Sequence, residues 1–139
     1  MDEPEKKEWP ASFVWTGGAN GEHAYMHFGP DESDDLPIDF SCKAGSGEVT
    51  IYTPYAVGDG RSLTLLSGVV RGVFPAHPVD GGEIFDGVAP EADVATAAPV
   101  LAEFRKTGAL AFGEPLIVLR QADAPELEAI DAFFVRCGS

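Results

Sequence analysis

The sequence predicts an α+β fold: an antiparallel β-sheet or sandwich of about eight strands, followed by two C-terminal helices. Three observations carry this expectation. Short runs between Gly and Pro punctuation alternate apolar and polar residues with period two through most of the chain. Near residue 97 the apolar period lengthens to that of a helix. The chain has 139 residues, 45% hydrophobic and 10% aromatic, which suits one domain built on one core. Residues 1–10 read as a flexible acidic tail and 11–139 as a single α+β domain.

The first run places Phe13 and Trp15 on one side, and Gly17-Gly-Ala-Asn-Gly21 is expected to end it. Next, Ala24, Met26 and Phe28 alternate with His23, Tyr25 and His27. Gly29-Pro-Asp-Glu-Ser-Asp-Asp35 reads as an acidic surface loop. Ile38, Phe40 and Cys42 alternate with Asp39, Ser41 and Lys43, after which Ala44-Gly-Ser-Gly47 turns the chain into Val49, Ile51 and Thr53, the clearest hairpin signal present. Further strands are expected at Ser62–Leu66, Val69–Phe74 and about Glu83–Val88, with Pro75-Ala-His-Pro-Val-Asp-Gly-Gly82 as a connection.

The first helix is expected to start at Thr96 as N-cap, with Pro99 in its first turn and Val100, Leu101 and Phe104 as its apolar stripe. Arg105 and Lys106 complement the negative end of its dipole, and Gly108 closes it in a left-handed conformation. Ala109–Phe112 and Leu116–Arg120 form a second hairpin through Gly113-Glu-Pro115. The last helix opens with a capping box, Asp123-Ala-Pro-Glu126, and buries Leu127, Ile130, Phe134 and Cys137, while Glu126, Glu128 and Asp131 are expected to face water.

Cys42 and Cys137 are the only cysteines. Both fall on inward-facing positions, which a helix-to-sheet disulfide requires, whereas two unrelated buried thiols would suit a reducing cytosol. A disulfide places the protein in the periplasm or outside the cell. The charged first eight residues carry no signal peptide, so export implies a signal already removed, and a cytoplasmic location is the alternative.

The formal charge is −14. Residues 1–40 hold 10 acids and 2 lysines, against 13 acids and 7 bases in the remainder. A nucleic-acid partner needs a basic stripe to release phosphate counterions, and nine scattered cations do not supply it. No apolar run approaches the length of a membrane span.

Candidate chemistry is sparse. His23 and His27 would share a metal ion on a helix, but on a strand they stand about 13 Å apart, so no metal is expected there. Asp31, Ser33 and Asp35 resemble the start of a calcium loop, yet its sixth and twelfth positions are Leu36 and Cys42. Phosphate loops, dinucleotide fingerprints and a Gly-x-Ser-x-Gly elbow are absent, so no cofactor is expected and catalytic residues are not assigned. Asp31, Glu32, Asp34, Asp35 and Asp39 remain as an acidic face for a protein partner. Trp9, Trp15, Tyr52 and Tyr55 are the aromatic contact candidates.

The segment Pro99-Val-Leu-Ala-Glu-Phe-Arg-Lys-Thr-Gly-Ala-Leu110, the strand Ile38-Asp-Phe-Ser-Cys42 and the ending Phe133-Phe-Val-Arg-Cys137 resemble small exported alphaproteobacterial proteins of unknown function, over about residues 36–139. In those proteins an early strand cysteine pairs with one closing the C-terminal helix, which implies a Cys42–Cys137 bond. They bring no assigned activity, so no site residue is carried over. The strand Phe40-Ser-Cys-Lys43 also resembles periplasmic lysozyme inhibitors, which are small disulfide-bonded β folds. The leading expectation is an exported, non-enzymatic binding or inhibitor-like module. A cytoplasmic acidic inhibitor, immunity or mimic protein with a cationic partner is the alternative, and a small hydrolase the third.

Overall fold

Alternating runs become paired strands in two antiparallel sheets. The structure, a computed structural model, describes residues 9–30, 36–56, 59–80 and 88–138. The first sheet contains β1 (Val14–Asn20), β2 (His23–Gly29), β3 (Ile38–Lys43), β4 (Glu48–Tyr52), β7 (His77–Asp80) and β8 (Val88–Ala95). The second contains β5 (Ser62–Ser67), β6 (Val70–Pro75), β9 (Ala111–Phe112) and β10 (Ile117–Val118). The helices are α1 (Pro99–Thr107) and α2 (Ala124–Cys137).

Strand order is β1-β2-β3-β4-β8-β7 in the six-stranded sheet and β10-β9-β5-β6 in the four-stranded one. The α+β class holds, but the expected eight-strand sheet or sandwich is replaced by unequal sheets of six and four strands. The physical reason is the route of the chain. A meander lays down β1 to β4, the chain leaves to build the β5–β6 hairpin, and β8 returns to the free edge of β4.

Three local expectations also change. Gly17 and Gly18 do not end the first run: β1 continues through them, pairing with Met26 and Tyr25. Gly18 makes room for an aromatic ring, because a Cβ there would lie 2.9 Å from atoms of Tyr25. The segment expected as a connection contains β7, an edge strand that tolerates Pro78 because one side of its ladder is open. β8 carries little strand signal in the sequence, since its buried residues include Ala89 and Ala92, small residues of low strand propensity. Except for Val88, the strand expected at Glu83–Val88 lies outside the described residues.

In α1 the N-cap is Ala98, not Thr96. The Thr96 hydroxyl instead donates to the Gly47 carbonyl at 3.2 Å, tying the helix approach to the β3–β4 turn. Gly108 closes α1 at φ 75°, as its position implies. The second hairpin forms between β9 and β10, and both halves of the α2 capping box are present.

The inner face of the six-stranded sheet buries Met26, Phe28, Ile38, Phe40, Val49 and Ile51. α2 packs over β1 and β2, and α1 packs over β5 and β6 and against α2. Aromatic rings join these layers: Trp15 and Phe104 have centroids 5.0 Å apart, and Phe40 stacks on Phe104 at 6.0 Å. Trp9 joins them, 5.3 Å from Phe28, with its indole N–H donating to the Val118 carbonyl.

Cys42 and Cys137 form a disulfide with Cα atoms 5.8 Å apart. The β3–β4 turn is docked beside it, because Gly45 N–H donates to the Arg136 carbonyl at 2.9 Å and Gly47 N–H to the Cys137 carbonyl at 2.7 Å. These bonds satisfy carbonyls that the end of a helix leaves open.

Thr53, at the end of β4, is fully buried, and its hydroxyl finds no hydrogen-bond partner among the described residues. Thr53→Val keeps the shape and removes the unsatisfied group. It is expected to raise stability by about 1 kcal/mol, read as a higher urea midpoint at unchanged m-value.

Candidate functional site

Strand alternation sends polar side chains to the outer face of the six-stranded sheet, and the register aligns them. Thr16 pairs with His27, His27 with Asp39, Asp39 with Tyr52, Tyr52 with Glu91, and Glu91 with His77. Each strand of the sheet thus contributes one residue to a row crossing it at right angles, about 24 Å long at ordinary strand spacing. Directly opposite residues share a face, with Cβ atoms about 5 Å apart. The row reads hydroxyl, imidazole, carboxylate, phenol, carboxylate, imidazole.

All but His77 are half-buried. His77 Nε2 lies 2.9 Å from Glu91 Oε1, which orients that carboxylate. A second row beside it joins Tyr25, Ser41, Thr50 and Asp93, and Thr50 donates its hydroxyl to Asp93 at 2.7 Å.

Asp39 has the most perturbed environment in the row. Burial pushes its carboxyl above the ordinary 3.8; His27 opposes that shift and the negative charge of Glu91 adds to it. A carboxyl raised on folding favours the fold only while protonated, so its penalty is complete at neutral pH and disappears as pH falls below the ordinary aspartate value. Asp39→Asn is therefore expected to stabilise the protein at pH 7. That gain should shrink toward pH 3 in paired denaturation curves.

Such a row can bind by hydrogen bonding and charge along a stiff sheet. Among the described residues no group of three His, Cys, Asp or Glu side chains is placed to hold a metal ion. His23 and His27 lie on β2 with the four-residue strand spacing expected of them.

Of the acidic partner face, Asp39 sits in this row, while Asp31, Glu32, Asp34 and Asp35 lie outside the described residues. Among the aromatic candidates, Trp15 is a core residue at 3% exposure, Tyr52 belongs to the row, and Trp9 and Tyr55 are half-buried against the core.

Glu126 corrects a further expectation. It does not face water: it is 6% exposed. Its carboxylate accepts from Trp15 N–H at 2.7 Å and Asp123 N–H at 3.0 Å, and from the Arg120 guanidinium at 3.2 Å. Arg120 also donates to the Phe13 carbonyl at 2.7 Å and lies over the Phe28 ring. The capping box announced Glu126 locally, but its second duty to β1 spans the whole chain and leaves no local signal. This network locks α2 to the first strand.

No protein-family model matches the sequence, no curated protein matches it, and no solved structure matches its fold.

Proposed function

We propose that this chain is an exported, periplasmic or secreted, non-enzymatic binding module of the inhibitor type. The observation that carries the reading is the Cys42–Cys137 disulfide, which joins two buried positions 95 residues apart. Bonds of this kind persist in oxidising compartments and are rare in the cytosol. The outer-face row supports binding, because each strand of a rigid sheet presents a polar group to one side. The test is alkylation of protein purified from its natural host. No free thiol before reduction and two after it are expected, and two free thiols before reduction would overturn the reading.

A second reading is favoured by the charge of −14, ten of whose acids fall in the first forty residues. It is a cytoplasmic acidic inhibitor, immunity or mimic protein whose negative face occupies the basic site of a cationic protein. Neutralising Asp31, Glu32, Asp34 and Asp35 to the amides is then expected to weaken partner binding and flatten its salt dependence. Binding unchanged by those substitutions at low salt argues against it.

A further inference from the structure

The four-stranded sheet carries a cleft of its own, remote in sequence from the row described above. It encloses about 300 Å³, at the lower end of the range for small-molecule sites. Thr64 on β5 and Val73 on β6 are register partners, so both side chains rise from one face to form the floor. Gly113 and Glu114, from the turn between β9 and β10, together with Ala56 and Ser62, complete its lining. Gly113 holds φ at 85° and packs directly against Ala56, since a Cβ there would lie 3.5 Å from that of Ala56.

Two features select the ligand. The first is the polar floor: Thr64 is only 6% exposed, and its hydroxyl reaches Glu114 Oε1 at 3.5 Å, the outer limit of a hydrogen bond. A ligand hydroxyl placed beside the two could bridge them, accepting from Thr64 and donating to Glu114. The second is charge balance. Glu114 is ion-paired with Arg71, so a cation must displace the guanidinium and an anion must displace the carboxylate. A neutral ligand meets neither cost and gains a charge-assisted acceptor. The aliphatic surfaces of Val73 and Ala56 beside these groups suit the C–H faces of a saturated ring.

We propose that this cleft binds a neutral polyhydroxylated ring of about monosaccharide size, with Glu114 accepting from its hydroxyls and the Thr64 hydroxyl bonded beneath it.

The experiment is an amide NMR titration of the full chain with methyl glycosides of glucose, galactose and mannose and with myo-inositol, using ethylammonium and acetate as charged controls. Saturable shifts at Thr64, Val73 and Gly113 are expected with at least one neutral probe at millimolar concentration and with neither ion. Thr64→Val, which keeps the shape, is expected to weaken binding about tenfold, the equivalent of one hydrogen bond. Glu114→Gln, on an exposed turn where folding is not at risk, is expected to weaken it at least as much. Absence of saturable shifts with every neutral probe overturns the proposal, as does an equal response to either ion or unchanged affinity in Glu114→Gln.

Discussion

Replacing Cys42 and Cys137 together by serine is expected to cost about 4 kcal/mol of stability. The bond closes a loop of 95 residues, and in the chain-entropy treatment a loop of that length restrains the unfolded chain by between 4 and 5 kcal/mol. The folded state loses less, because Phe133 and Phe134 keep the last turns of α2 in the core and the Gly45 and Gly47 hydrogen bonds can remain. The effect therefore lies mainly in the unfolded ensemble. Urea denaturation should show a lower midpoint together with a steeper m-value, since the open chain exposes more surface on unfolding. Reductant should move the wild-type curve onto that of the double variant and leave the variant unchanged.

Glu126→Ala is expected to cost about 3 kcal/mol, the lower end for breaking a buried ion pair, because Arg120 retains access to water. The substitution leaves Trp15 N–H, Asp123 N–H and the Arg120 guanidinium without their shared acceptor. Glu126→Gln keeps acceptor capacity but removes the charge, and should fall between wild type and alanine. The pH dependence gives an independent readout. Burial pushes the Glu126 carboxyl upward, but the backbone bonds from Asp123 and Trp15 and the guanidinium of Arg120 outweigh it, holding the pKa below the ordinary 4.5. A depressed folded pKa contributes stability that is complete above the unfolded value and lost as pH falls through the folded one. The acid limb of wild-type stability below pH 4.5 should be steeper than that of Glu126→Gln, and identical limbs would show that Glu126 is not held in this network.

Much of this fold is legible in short stretches of sequence. The two faces of β2 and β3, the turn at Gly45-Ser-Gly47, the closure of α1 by Gly108 and the capping box at Asp123 each depend on residues within a few positions of one another. β7 and β8 were illegible for the opposite reason. Prolines and alanines give them little intrinsic strand preference, and they are strands because β4 offers a free edge. The acidic loop remains a reading from composition.

The candidate row shows the same division. That His27 and Asp39 point outward follows from alternation alone. That Asp39 lies beside Tyr52, and Tyr52 beside Glu91 and then His77, follows from the order in which strands join the sheet. By itself the sequence determined which faces of β2 and β3 point inward, where α1 stops and α2 starts, and that both cysteines lie on buried faces. Only the tertiary structure decided which strands became neighbours, that Glu126 anchors β1, and that Thr64, Val73 and Glu114 enclose a cleft. Side-chain direction and capping are set by backbone geometry within one or two turns of chain, whereas strand order is set by long-range pairing, whose register no local pattern encodes.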